Sequence, residues 1–166
     1  MQRRPYTQRQ RDAAARLGQD SVYTPEFVAG GREWHAWFDG DREPAAAPTA
    51  GELTLRVSGG GTVSAAYAPP AGFNSRGAAI NLALLGMDVV SDVRGGENGG
   101  RRLQHDFVVL DFQSQPLKQE SGAGGLQSGP VNLRSATGDA PRAIVAWITR
   151  ADGSLAQVAG GWLDGR

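Results

Sequence analysis

The sequence predicts a mainly β protein, in which a helix and a hairpin precede an antiparallel β-sandwich. Two observations carry this prediction. Short runs that alternate apolar and polar residues recur along residues 51–166. Clusters of Gly, Pro, Asn and Asp separate these runs at the spacing of hairpin turns. The predicted organisation is a helix-plus-hairpin segment over residues 1–40, a linker over 41–50 and the sandwich over 51–166.

Composition limits the classes of function. The 166 residues suffice for one ordinary domain, or one domain and a fragment of another. Seventeen basic and 17 acidic residues cancel, which argues against a nucleic-acid partner or an anionic membrane surface. The chain has no cysteine, so it supplies no disulfide, thiolate metal site or cysteine nucleophile. No apolar run reaches membrane-spanning length, and no cofactor is expected.

The N-terminal region has the pattern of a short helix over residues 7–17. Thr7 and Gln10 match a capping box, and Gly18 follows as the stop. Five arginines against Asp12 make this stretch basic. An anion-binding arm is one interpretation, but a solvated helix face is favoured because the chain as a whole is neutral.

Residues 21–38 predict two short strands around the pair Gly30-Gly31. The aromatic cluster in this segment suits either ligand stacking or packing against the rest of the protein, and packing is favoured; its members are Trp34, His35, Trp37 and Phe38. Residues 39–51 lack strand periodicity and contain two prolines, which is typical of a linker.

Four features of residues 51–166 define the predicted sandwich. Alternating residues 53–57 and 63–67 predict a half-buried hairpin. Residues 78–85 suit either a helix or a buried strand, and their shortness and flanking glycines favour the strand. Residues 113–130 are polar and predict a long mobile loop. A last hairpin, over 142–150 and 155–163, is expected to bring Trp147 and Trp162 into the core.

A polar glycine loop leads directly into an apolar run over residues 94–112. Asn98-Gly99 predicts a type I′ hairpin turn, because this turn needs positive φ at both central residues. The flanking strands are expected at 87–93 and 103–112. The second of these is apolar at successive positions from Phe107 to Leu110, which is typical of a central strand.

Polar side chains around this loop suggest two kinds of site. Glu97, His105, Asp106 and Asp111 have the chemistry of a metal site or an acid–base pair, but they are spread along one hairpin and cannot all converge. A turn-and-surface role is therefore favoured. Arginines 94, 101 and 102 suit an anion, although no helix dipole supports them. The residues thus predict no catalytic, cofactor-binding or metal-ligating set.

Three groups of residues together resemble a known bacterial family: Thr7 to Gln10 with Leu17-Gly18, Val22 to Val28 with Gly31-Arg32, and Gly96 to Gly100 with the stretch from Arg101 through His105 to Val109. The family is the secreted thioredoxin-like family catalogued as domain of unknown function twelve-twenty-three. Its members join an N-terminal thioredoxin-like domain, which carries a Cys-x-x-Cys motif, to a C-terminal β-rich domain. The resemblance implies that residues 1–40 are a partial thioredoxin-like segment that lacks the cysteine-bearing half.

The resemblance also implies which residues are of functional interest: Thr24, Pro25, Glu97, Asn98, Gly99 and His105. Pro25 would match the cis-proline beside the family's redox cysteines. Two hypotheses follow, a non-catalytic accessory or interaction module of the cell envelope and a truncated thiol-disulfide oxidoreductase. The family implies a periplasmic or secreted location, whereas the opening residues show no signal peptide and predict a cytoplasmic chain if Met1 is the true start.

The sequence leaves open whether the chain binds a protein partner, and specifies none. A lone helix and hairpin cannot bury enough surface to be stable alone, so residues 1–38 are expected to pack on the sandwich through Trp34, Trp37 and Phe38. An open strand edge near Phe27 predicts weak homo-oligomers at high concentration, which Phe27→Lys should reduce.

Overall fold

The computed structural model describes residues 4–22, 27–29, 32–34, 39–40, 51–58, 62–119, 125–127, 131–132 and 142–163. Within these residues the chain forms one helix and a set of antiparallel strands, which confirms the mainly β prediction. The predicted linker at 41–50 lies outside the described residues, and the three-part division of the chain stays a prediction.

The helix, α1, spans Arg4–Arg16. It begins three residues before the predicted start, so Thr7 lies within the helix and the capping-box prediction is wrong. The predicted stop is confirmed. Gly18 has a φ of +73°, and Gln19 N donates to Ala14 O at 2.9 Å, which satisfies a carbonyl of the last turn. Within the described residues, no helix combines the length and apolar character that crossing a bilayer requires.

The first sheet is built on a long hairpin. Its strands are β3 (Glu52–Ser58), β4 (Thr62–Ala68), β9 (Lys118–Gln119), β10 (Leu126–Gln127) and β11 (Val131–Asn132). β3 pairs with β4 along its whole length, as the alternation of residues 53–67 predicts. On its other side β4 pairs with β10 and β11, and β10 in turn pairs with β9.

The second sheet has four strands in the order β13-β12-β5-β8. They are β5 (Ala79–Gly86), β8 (Val108–Pro116), β12 (Arg142–Thr149) and β13 (Leu155–Trp162). The choice of a strand over a helix at 78–85 and the last hairpin are therefore confirmed. The loop predicted at 113–130 is wrong in part, because β8 continues to Pro116 and β9 and β10 follow.

Both sheets contribute side chains to one apolar core. Val63, Ala65 and Tyr67 come from the first sheet, while Ile80, Leu82 and Ile148 are among those from the second. All six are at most 4% exposed. The rings of Tyr67 and Phe73 pack at nearly right angles, with their centroids 5.4 Å apart. The sheets thus share a core, and their arrangement as a β-sandwich stays a prediction.

Two small hairpins complete the described residues. β1 (Val28–Ala29) pairs with β2 (Arg32–Glu33), as predicted, around a turn that lies outside the described residues. β6 (Val89–Asp92) pairs with β7 (Arg102–His105), and we call this hairpin with its loop, residues 89–105, the arm. The strand predicted over 103–112 is therefore divided into β7 and β8.

Candidate protein-interaction surface

The residues of the predicted motif lie on the arm or outside the described part. Thr24 and Pro25 fall among the residues that the structure does not describe. Glu97, Asn98 and Gly99 lie at the exposed tip. Neither Asn98 nor Gly99 has positive φ, so the type I′ prediction is wrong. The left-handed residues are instead Gly96 and Gly100, and Gly99 N donates to Gly96 O at 3.0 Å.

The titratable side chains of this region make separate local hydrogen bonds. His105 Nε2 lies 2.8 Å from Ser91 Oγ across the arm. Asp106 Oδ1 accepts from Asp88 N at 2.9 Å, and Asp111 Oδ1 accepts from Phe112 N at 2.8 Å. In the described part of the chain, no three His, Cys, Asp or Glu side chains come together as a metal-binding group. These hydrogen bonds are local to the arm and the adjoining strands, and the turn-and-surface role stays a prediction.

The arm joins the second sheet through a sharp kink. Asp88 and Phe107 lie on the two strands between the arm and the second sheet, and both have left-handed φ, +54° and +57°. Gln104 Nε2 donates to Asp88 Oδ1 at 2.6 Å, and Phe107 N donates to Met87 Sδ at 3.3 Å. Phe107 is 67% exposed, so its predicted place in a central strand is wrong. Hydrophobicity alone does not reveal this break in the strand.

A bulge next to the kink brings Leu110 toward the core. Leu84 pairs with Asp111 and Leu85 with Val109, so Leu110 has no partner in the register. Leu110 packs against the core cluster. It occupies the space over Gly86, where an added Cβ would lie 3.0 Å from a methyl group of Leu110. The absence of a side chain at Gly86 therefore allows this close packing.

The outer face of the second sheet, which lies opposite the core, carries three uncharged rows. Each row is a line of directly paired residues that crosses the sheet from β8 through β5 and β12 to β13, as the strand registers show. In that order the rows are Val109-Leu85-Ala143-Trp162, Phe112-Ala83-Val145-Gly160 and Ser114-Asn81-Trp147-Val158. A sheet that is apolar on both faces is usually covered on both.

Helix α1 covers part of this outer face. The guanidinium of Arg9 lies 4.6 Å from the ring centroid of Phe112 and 5.2 Å from that of Trp147. These two rings stack with their centroids 5.8 Å apart. Burial, and next the charge of Arg16, lowers the pKa of Arg9. The Arg9 side chain thus holds the helix on the sheet through cation–π contacts with this stacked pair of rings.

A polar network lies in the third row. Asn81 is 4% exposed, and its amide nitrogen donates to Thr149 Oγ1 at 3.2 Å and to Trp147 O at 3.4 Å. Its amide oxygen accepts from Ser114 Oγ at 3.0 Å. The side chain therefore links β8, β5 and β12 on one face, and each of its polar atoms is satisfied.

The remainder of the outer face is open. Val109 is 42% exposed, Val158 51% and Trp162 47%, although Trp162 is expected in the core. That expectation is wrong because residues 144, 146 and 148 of β12 face the core and Trp162 pairs with Ala143 on the opposite face. Trp147 is half-buried on this outer face too. We call this part of the face the open strip. It consists of the exposed Val109, Trp162, Gly160 and Val158 and the half-buried Leu85 and Ala143.

Two further surfaces lie away from the open strip. A cavity of about 270 Å³ lies between the end of α1, β1 and the turn of the last hairpin. Asp152 in that turn accepts from Ser154 N at 2.9 Å, and hydrogen bonds with Ser154 lower the pKa of its carboxyl. Near the predicted association edge, Phe27 is half-buried, Val28 is 53% exposed and Trp34 N donates to Phe27 O at 2.8 Å.

The comparisons with known proteins identify a family without an assigned activity. The family model described as "Protein of unknown function (DUF1223)" matches residues 1–148. The chain belongs to this family, as the resemblance in its sequence implies. No curated protein and no solved structure matches the chain.

Proposed function

We propose that the protein is a non-catalytic accessory or interaction module of the cell envelope. The observation that supports this role is the open strip on the second sheet. It is uncharged, spans all four strands, and presents Val109, Val158 and Trp162 to solvent. Apolar surface of this kind marks protein contact sites when it is contiguous.

The free energy available from covering the strip is substantial. Trp162 alone leaves roughly 100 Å² in water, given that a tryptophan buries 150–250 Å² in full. At about 25 cal/mol per Å² of apolar surface, its burial contributes about 2–3 kcal/mol before the costs of association. Aromatic residues in such positions often dominate the binding energy of an interface.

The second hypothesis, a truncated thiol-disulfide oxidoreductase, needs chemistry from outside this chain. Residues 1–166 carry no cysteine, so a disulfide exchange would have to use thiolates that lie outside these residues. The thioredoxin-like nature of residues 1–40 and the periplasmic or secreted location belong to the proposal as implications of the resemblance. The weak homo-oligomer at the edge near Phe27 is a further, separate prediction.

Site-specific photo-crosslinking in the native host tests the proposed role. A photoreactive residue replaces Val158, and a matched one replaces Val57, which is 47% exposed on β3 of the other sheet. We expect position 158 to give a defined adduct with a protein of the envelope fraction, and position 57 to give none. Recovery of the chain only from the cytoplasm, or equal adducts from both positions, would contradict the proposal.

A further inference from the structure

Phe107 holds a backbone conformation that its residue type disfavours. Its φ of +57° lies in the left-handed region, where Gly, Asn and Asp are tolerated and a bulky side chain is strained. Asp88 shares this conformation at the kink, but it is a residue type that the region accepts. Strained residues persist only where the surrounding structure fixes them, and they cluster at binding and active sites. The strain at Phe107 therefore calls for a functional explanation.

Hydrogen bonds of the kink fix the backbone at Phe107. Its N–H donates to Met87 Sδ at 3.3 Å, and Met87 is 4% exposed. Asp106 Oδ1 accepts from Asp88 N at 2.9 Å, and Asp88 Oδ1 accepts from Gln104 Nε2 at 2.6 Å. These three hydrogen bonds join the two strands at the kink. The side chain of Phe107 is therefore presented from a fixed backbone, which lowers the entropic cost of using it in binding.

The fold makes little use of the ring of Phe107. Phe107 is 67% exposed, the largest value among the exposed large hydrophobic residues of the described ranges. Within these ranges its ring belongs neither to the core cluster nor to a ring pair. A glycine or an asparagine would form the same kink with less strain. The aromatic side chain at this position thus suits an interface, where phenylalanine is enriched.

The neighbours of Phe107 indicate the chemistry that it would meet. Two positions further along the chain is Val109, an exposed member of the open strip. Asp88 and Asp106 are exposed carboxylates of the kink itself. No lysine or arginine lies within residues 86–90 or 104–108 to balance them. An exposed ring beside two acids is complementary to an apolar pocket with a basic rim.

We propose that Phe107 is an anchor residue that inserts into an apolar pocket of a partner protein, and that lysine or arginine side chains line the rim of this pocket. This inference rests on the proposed interaction role and adds an anchor and a partner chemistry to it. The apolar pocket accounts for the exposed ring, and the basic rim accounts for the two acids. The strain at residue 107 is then a cost in stability that the fold bears for binding.

Photo-crosslinking in the native host identifies what Phe107 contacts. Benzoylphenylalanine, a photoreactive analogue of phenylalanine, replaces Phe107 in the full chain, and the position 158 and position 57 proteins are run in parallel. We expect positions 107 and 158 to give an adduct with the same protein, and position 57 to give none. The purified partner then serves for titration calorimetry, in which added salt should weaken binding.

Variants of Phe107 separate binding from stability. Phe107→Asn relieves the strain, so urea unfolding of the chain alone should give an unfolding equilibrium constant no larger than that of the parent. The same variant should weaken partner binding at least tenfold, because the anchor is lost. Val57→Asn, at an exposed position of β3, should leave partner binding unchanged.

A second pair of variants tests the basic rim. Asp88→Asn removes a charge but keeps the oxygen that accepts from Gln104, and asparagine tolerates the left-handed conformation. It should weaken partner binding about threefold or more. Glu52→Gln removes an exposed charge on β3 of the first sheet and should have no effect.

The alternative outcomes are distinct. A larger unfolding equilibrium constant for Phe107→Asn would mean that the ring stabilises the fold, and unchanged partner binding would mean that it is no anchor; either overturns the inference. Equal effects of Asp88→Asn and Glu52→Gln would overturn the basic rim. An adduct of position 107 with a second copy of this chain would overturn the inference in favour of self-association. An adduct at position 158 without one at 107 overturns the anchor while the interaction role stands, whereas adducts at neither position contradict the interaction role itself.

Discussion

Replacing Asn81 by Ala should destabilise the protein by about 2 kcal/mol. Asn81 is buried and makes three side-chain hydrogen bonds, of which two are long, at 3.2 and 3.4 Å, and one is 3.0 Å. A neutral hydrogen bond contributes about 0.5–1.5 kcal/mol, and long ones lie at the lower end. For a chain of this length, the expected loss corresponds to a decrease of about 4–8 °C in the melting temperature.

Urea unfolding, monitored by circular dichroism, measures this free energy. Asn74→Ala is the control, because Asn74 is exposed and its Oδ1 accepts a hydrogen bond from the nearby Arg76 N at 3.0 Å. Ser114→Ala should cost about 0.5–1 kcal/mol in the parent protein and less in the Asn81→Ala background, since its partner is then absent. A loss below about 0.5 kcal/mol for Asn81→Ala, or equal effects of Ser114→Ala in both backgrounds, would refute the account of the network.

Three further predictions concern stability and activity. Arg9→Ala should lower the free energy of unfolding by about 1 kcal/mol through loss of its contacts with two rings, whereas Arg11→Ala should have little effect in the same urea assay. Burial raises the pKa of the Tyr67 hydroxyl, against a smaller opposing effect of Arg150. The contribution of Tyr67 to the free energy of unfolding should therefore be constant below a pH of about 10, where an unfolded tyrosine ionises, and should fall as the pH rises beyond it. Urea unfolding at several alkaline pH values checks this, and Tyr67→Phe should flatten the pH dependence. The chain alone should not reduce insulin disulfides above a buffer blank, because it has no cysteine, and measurable turnover would show that another nucleophile acts.

The local alternation of apolar and polar residues predicts the strands that have one buried face. The β3–β4 hairpin follows from such a pattern, since Val63, Ala65 and Tyr67 are buried and the residues between them are not. The β12–β13 hairpin was likewise evident from the turn at Asp152-Gly153, where Gly153 has a φ of +81°. These predictions succeed because the alternation of apolar and polar residues along a strand, and the residue types of a turn, are both set within a few neighbouring positions of the sequence.

The kink and the open strip depend on contacts that a local pattern does not contain. Phe107 looks like a core residue in an apolar run, but it has left-handed φ, is 67% exposed, and donates its backbone N–H to the sulfur of Met87, twenty positions away. The rows of the outer face join residues more than fifty positions apart, such as Leu85 and Ala143. One clue was available, since the near-continuous apolar composition of residues 79–86 is typical of a strand buried on both faces.

The affinity of the crosslinked partner for two matched variants tests the central claim most directly. Titration calorimetry of that purified partner with the parent chain, Val158→Glu and Val57→Glu compares an open-strip position with a similarly exposed strand position on the first sheet. The account predicts a dissociation constant at least tenfold larger for Val158→Glu, which is a loss of about 1.4 kcal/mol of binding free energy, and no change for Val57→Glu. Equal affinity of the two variants would contradict the claim that the open strip is the interaction surface.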